Sequence, residues 1–332
     1  MPTSEDRRRR LLGASLALAA LAATAFAGAS ASASVGAAVE SGRPATAAPP
    51  LASAGAPTTP PAPASVPSTR PGATSVEWTQ RLITAGGVTQ WIECGGRGRV
   101  TVVVIPGLHA THSMWSKVLP SFAQTTRTCI VDRAGLGASP ARHPHRTVDA
   151  GLHANELWAV LTKAGVRGPL IVVGHSYGGL IARAFVARHR SSVVGLMLVE
   201  GVAPYDRLSH YWAEGGDRVD TWASSKAALP MRLGSMPLVV EAAQDPDRSY
   251  WGGPAYGGSA SDIADWKAHQ LSASLLSTDG SFVIVRHSAH VIEHDQPAAV
   301  IAGVRLLVTS AVTHRWMPRC ALSAFGSQPR CT

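Results

Sequence analysis

An α/β fold is what this sequence predicts: a mostly parallel central sheet with helices on both faces and a small cap insertion. The first observation is a series of short, β-branched apolar runs, the kind buried on both faces of a sheet: Val100–Ile105, Cys129–Val131, Leu170–Val173, Val193–Val199, Leu238–Val240 and Phe282–Val285. The second is that helical stretches separate them. Val148–Ala164 repeats apolar residues at three and four positions, Leu180–Arg190 follows the third run, and Ala298–Val312 closes the domain. Strands alternating with helices favour parallel pairing, and ligands then bind at the carboxyl ends of the strands. The third is the long interval between the fourth and fifth runs, of which roughly 203–236 reads as a cap carrying Trp212 and Trp222.

Taken from the amino end, the chain of 332 residues opens on Arg7–Arg10, the apolar stretch Leu11–Gly28 and small residues suited to cleavage near Ala31 or Ala33. Residues 1–33 therefore read as an export signal and the mature protein as secreted. The stretch approaches spanning length but is largely alanine, a poor driver of insertion, so no stable membrane anchor is expected. Arg8-Arg9-Arg10-Leu11-Leu12 also resembles a twin-arginine signal, which leaves the export route open. Residues 34–75 are Ala, Pro, Ser, Thr and Gly with almost no large apolar side chain, a linker that cannot bury enough surface to offset the entropy of ordering. Residues 76–315 form the domain and 316–332 a polar tail.

The net charge is +9, with four arginines in the leader and the remaining basic residues scattered, a pattern that excludes nucleic acid as a partner. Four cysteines in an exported chain suggest disulfides. Cys320 with Cys331 is the local pairing, and Cys94 with Cys129 then requires Cα atoms within about 7 Å. No cysteine pair has metal-ligand spacing, and no metal or cofactor is expected.

Gly174-His175-Ser176-Tyr177-Gly178 lies where the third run turns into a helix. A tight strand-to-helix turn crowds its own backbone, small flanking residues relieve the crowding, and the serine hydroxyl is pushed out above the sheet. Ser176 is thus the candidate nucleophile. It needs a base, a group that orients the base, and donors for an oxyanion. His290 is the candidate base, in Arg286–Pro297 between the last run and the closing helix.

These segments resemble the α/β-hydrolase family. Pro106-Gly107-Leu108 after a buried strand, Trp115, Asp132–Ser139 after the next strand, the Gly174–Gly178 elbow, and Ser288–Ile292 with Asp295 and Pro297 are similar to its motifs in their usual order, over roughly 78–312. The resemblance implies Ser176 as nucleophile, His290 as base, and the backbone amides of Leu108 and Tyr177 as the oxyanion hole. The chain departs from the family in having Pro106 where His is common and Ala289 where Gly is common; neither change removes a main-chain donor. The acid has two candidates. Asp245, with Asp247 behind it, follows the fifth run but lacks the expected glycine and is one residue short. Glu200 directly follows the fourth run, and the cost of burying an unpaired carboxylate there favours it.

His290-Val-Ile-Glu293-His294 also spells H-x-x-E-H, a zinc-peptidase pattern that needs both histidines on one helix face; a preceding strand and Pro297 leave little room for that helix. His109 and His112 read as loop residues at the rim, and His175 as a packed or substrate-facing side chain. The sequence thus predicts a secreted serine hydrolase, most simply of carboxylic esters, acting on a small acyl substrate with an apolar group. A serine in place of aspartate argues against the dehalogenase and epoxide hydrolase chemistries that the family resemblance also brings. Amidase or peptidase, thioesterase, acyltransferase and lyase activities, or a ligand-binding module with an idle site, share the same residues. Oligomeric state is not encoded legibly.

Overall fold

The structure, a computed structural model, describes residues 76–204, 206, 209–229, 231–245 and 260–329, with Ala260 by its backbone alone. The leader and linker, Tyr205, Asp247, most of the Trp251–Ser261 stretch and Cys331 lie outside these residues. From the amino end the elements are β1 (Trp78–Ala85), β2 (Val88–Gly95), β3 (Thr101–Ile105), α1 (Leu119–Thr125), β4 (Arg127–Asp132), β5 (Thr147–Val148) and α2 (Ala150–Lys163). Then come β6 (Leu170–His175), α3 (Tyr177–Arg188), β7 (Val193–Val199), β8 (Tyr211–Glu214), β9 (Asp217–Asp220) and α4 (Thr221–Ala228). The last are β10 (Leu238–Ala243), α5 (Ala260–Ser274), β11 (Gly280–Val285), α6 (Ile292–Asp295), α7 (Pro297–Thr313) and β12 (Gly326–Ser327).

Among the described residues nine strands form one sheet in the order β1-β2-β4-β3-β6-β7-β10-β11-β12. Pairing is parallel from β4 through β11, and antiparallel where β1, β2 and β12 complete the edges. The six apolar runs are the six parallel strands. Their continuous hydrophobicity follows from burial on both sides. Val103, Val172, Leu196 and Val240 pack with Leu157, Leu161, Ile181 and Phe185 of α2 and α3, while Val104, Ile171, Met197 and Val239 meet Phe122 of α1 and Val300, Val304 and Leu307 of α7. Helix α2 starts where Asp149 accepts Leu152 N–H at 2.9 Å, and α7 opens on Pro297, whose missing N–H costs nothing at that position.

Cys94 and Cys129 face each other in the β2–β4 register and are disulfide-bonded, with Cα atoms 4.1 Å apart. Cys320 is disulfide-bonded as well. The tail is held by more than that bond: β12 pairs with β11, and Met317 and Leu322 are buried in the core. The cap region contains the hairpin β8–β9, joined to β5 as a separate three-stranded sheet, followed by α4. Helix α5 begins at Ala260, within the Gly-rich stretch Trp251–Ser261. No described helix is long and apolar enough to cross a membrane.

Candidate active site

Ser176 stands between β6 and α3 with φ 51° and ψ −123°, a left-handed backbone that a non-glycine residue holds only when its surroundings impose it. The surroundings are glycine. A Cβ on Gly174 would lie 2.8 Å from Ala182 Cβ, and one on Gly178 would lie 2.7 Å from Pro106 O. The turn closes through Gly179 N–H to Ser176 O at 2.8 Å and Ser176 N–H to Val199 O at 3.2 Å. Because β3 is the parallel neighbour of β6, the loop that leaves β3 arrives over the elbow, and a Cβ on Gly107 would lie 3.1 Å from Ser176 Cβ. Leu108 is the next residue. Tyr177 N–H starts α3, where main-chain donors and the helix dipole favour negative charge.

His290 lies on the loop after β11 and is buried. That loop is docked on the elbow: His175 donates Nε2–H to His290 O at 2.9 Å, and the two rings are 4.8 Å apart. Its far side is fixed by Ala289 N–H to Asp295 Oδ2 at 2.8 Å. Burial, with the charge of His175 as a smaller contribution, pushes the His290 imidazole well below its ordinary value. It is therefore neutral at neutral pH, the form a general base requires.

The sheet order β6-β7-β10-β11 puts both candidate acids between Ser176 and His290. Glu200 leaves β7 with φ 44° and is fully buried. Its N–H donates to Glu241 O at 2.7 Å, and its carboxyl accepts Ala243 N–H at 2.6 Å and Trp266 Nε1–H at 2.7 Å. Burial pushes this carboxyl up to about 8, with those two donors pulling the other way. Asp245 is exposed and meets the His290 loop through its main chain, donating N–H to Ser288 O at 3.1 Å.

Within the H-x-x-E-H segment the structure has the single turn α6. The turn begins after His290, and the segment's two other polar members part company: His294 is exposed while Glu293 is buried. Among the described residues no three metal-capable side chains gather. Glu293 Oε1 instead lies 3.4 Å from His175 Nδ1, so His175 is a packed residue bridging the elbow, the base loop and α6. His112 pairs at the rim with Asp132, Nδ1 to Oδ2 2.7 Å. Trp212 packs its edge toward Tyr177, 6.0 Å between rings, and Trp222 lies exposed, stacked on His210 at 3.9 Å.

Three features escaped sequence reasoning. Trp266, on a helix that sequence periodicity had not marked, reaches Glu200. Glu241 is a carboxyl buried inside a strand. Arg133 and Glu214 form a buried ion pair at 2.7 Å; Arg133 sits in the Asp132–Ser139 motif, and Glu214-Gly215-Gly216-Asp217 carries a hairpin signal, so only their pairing was hidden.

A family model described as alpha/beta hydrolase fold matches residues 100–232. A thermophilic esterase from Thermogutta terrifontis superposes with a TM-score of 0.53 and 16% identity, covering 70% of this chain and 99% of that one. The haloalkane dehalogenase DatA from Agrobacterium tumefaciens gives 0.54 and 11%, covering 70% and 97%. The uncharacterized protein YqjL of Bacillus subtilis is 24% identical over 219 residues, 62% of this chain and 82% of its own. Lipase LipV of Mycobacterium tuberculosis is 31% identical over 112 residues, 34% and 41%. The chain has the α/β-hydrolase fold. An esterase and a dehalogenase share that fold, so the reaction has to be argued from the site.

Proposed function

We propose that this protein is a secreted serine hydrolase that cleaves an ester or related acyl compound through an acyl-enzyme on Ser176. The observation that carries the proposal is the strained Ser176 elbow, with the Gly107–Leu108 loop against it and the base loop docked on it through His175. His290 takes the Ser176 proton as Oγ attacks the acyl carbon, and the oxyanion forms toward the N–H groups of Leu108 and Tyr177. The protonated imidazole then gives its proton to the departing alkoxide. Water, deprotonated by the same ring, releases the acid and restores the serine. Glu200 is the proposed partner of His290. Its left-handed backbone and buried, doubly hydrogen-bonded carboxyl suit a held catalytic group better than exposed Asp245 does. The esterase and lipase relatives support ester chemistry, and the disulfides suit an oxidising compartment.

Labelling with a fluorophosphonate probe, followed by mass spectrometry of the modified peptide, tests this. Wild type and Asp245→Ala are expected to be labelled on Ser176, and Glu200→Ala to be labelled far more slowly. Absence of labelling in folded wild type would end the serine-hydrolase reading; loss in Asp245→Ala alone would transfer the acid role.

The pH profile gives an independent assignment. If the partner must be ionised, a carboxyl at about 8 makes kcat/KM rise with pH through a limb near 8. With Asp245 as partner the limb is that of His290, below its ordinary 6.5. We expect the limb near 8.

A further inference from the structure

We infer that Arg133 and Glu214 are positioning residues for the oxyanion hole, and that the β8–β9 hairpin of the cap is a fixed part of that hole. This deepens the Ser176 reading and rests on it. Arg133 follows β4 and is buried. Its Nη1 donates to Pro106 O at 2.6 Å and its Nη2 to Gly107 O at 2.5 Å. The other side of the guanidinium is taken by Glu214, through Nε to Oε2 at 2.8 Å and Nη2 to Oε1 at 2.7 Å. Glu214 Oε1 also accepts His109 N–H at 2.8 Å. One buried pair thus holds three main-chain atoms of the loop, on both sides of Leu108.

The consequence lies in the peptide unit. Gly107 C=O and Leu108 N–H belong to one planar trans peptide and point in opposite directions. Pinning the carbonyl on Arg133 aims the amide away from Arg133, and a charge-assisted bond to that carbonyl polarises the N–H at the other end. Arg133 touches no reacting atom; it acts through the peptide whose amide would meet the oxyanion.

Glu214 is as firmly placed as Arg133. The hairpin turn lies directly on the chain that follows Arg133: a Cβ on Gly135 would fall 2.6 Å from Gly215 Cα, and one on Gly215 would fall 2.9 Å from Gly135 Cα. Both residues have positive φ, 76° and 59°, so this backbone approach needs glycine on each side. Beyond the turn, Asp217 accepts Arg142 Nε–H at 2.8 Å and Arg146 N–H at 2.9 Å, and β9 pairs in parallel with β5. Burial works against a charge on Glu214, but the Arg133 guanidinium, together with His153 and the His109 amide, holds the carboxyl below its ordinary value. A buried pair of this kind is weak support for stability alone, since replacing both partners with apolar groups is often neutral. Its geometry shows what it orders instead.

The test compares wild type with Arg133→Lys, which keeps a charge but loses the fork, and with the milder Glu214→Gln. Steady-state kinetics on a p-nitrophenyl ester are combined with inhibition by a trifluoromethyl ketone, whose tetrahedral adduct carries the oxyanion. Arg133→Lys is expected to lower kcat by about 10²-fold, the cost of losing one oxyanion donor, and to weaken the ketone in step while KM stays within about twofold. Glu214→Gln should move the same quantities less. Hydrogen exchange of residues 211–220 should be slow in free enzyme and unchanged by the ketone. Unchanged kcat and ketone affinity in both folded variants would overturn the inference, as would a hairpin that becomes protected only when the ketone binds. A wild type that turns over and is labelled on Ser176 while the variants stay unaffected overturns this inference alone; a wild type never labelled overturns the reading beneath it.

Discussion

Replacing Ser176 by alanine is expected to lower kcat for ester hydrolysis by about 10⁶-fold, while leaving a slow residual rate above that in water. The size follows from the roles assigned around it. Without the nucleophile, His290 has no hydroxyl to deprotonate and no acyl-enzyme forms, yet the Leu108 and Tyr177 amides still stabilise a tetrahedral oxyanion formed by water. The fold should survive the change, because serine and alanine carry the same Cβ and the strain of about 1–3 kcal/mol at this left-handed position is common to both. His290→Ala should fall almost as far, and the double variant should be no worse than the worse single one, because the groups act as a unit. Steady-state rates of the three variants, with melting temperatures to confirm folding, check this. A Ser176→Ala protein within tenfold of wild type would contradict the assignment.

The second large effect is on stability. Glu241 is fully buried, and burial together with the charge of Glu293 pushes its carboxyl up to about 8 from an ordinary 4.5. The folded protein therefore keeps a proton between those values that the unfolded chain has released, and stability falls as pH rises through that window. Glu200, also pushed up to about 8, adds to the same slope. Glu241→Gln removes one of the two contributions while conserving shape. Its melting temperature should match wild type near pH 5 and exceed it increasingly toward pH 8. The difference there should be on the order of a few kcal/mol, since each pKa unit is worth about 1.4 kcal/mol before relaxation reduces it. Thermal unfolding of both proteins across pH 5 to 8 measures the two slopes; parallel curves would contradict the buried-carboxyl account.

The parallel strands were legible because burial on both faces leaves uninterrupted β-branched runs. The edge strands were not: β1 from Trp78 to Ala85 is mostly exposed and reads as polar chain, although Gly86-Gly87 marks its turn into β2. Helix α3 starts at Tyr177, ahead of the expected Leu180, because Gly178 and Gly179 look like turn residues in sequence while the elbow needs them inside the helix for close approach. Ser176, His290 and the loop carrying Leu108 were readable because each sits at a strand end with a local signature. The acid was not, since Glu200 and Asp245 both follow strands that lie between nucleophile and base, and spacing along the chain says nothing of which side chain is buried. The Arg133–Glu214 clamp joins residues 81 positions apart, and no local pattern encodes such a pair.

The most direct measurement is to quench the enzyme during turnover of a p-nitrophenyl ester and identify the acylated peptide by mass spectrometry. An acyl adduct on Ser176, formed in a burst with the first equivalent of nitrophenol and absent from Ser176→Ala, is the predicted result. Turnover that persists in Ser176→Ala with no adduct on the wild-type peptide would contradict the central claim.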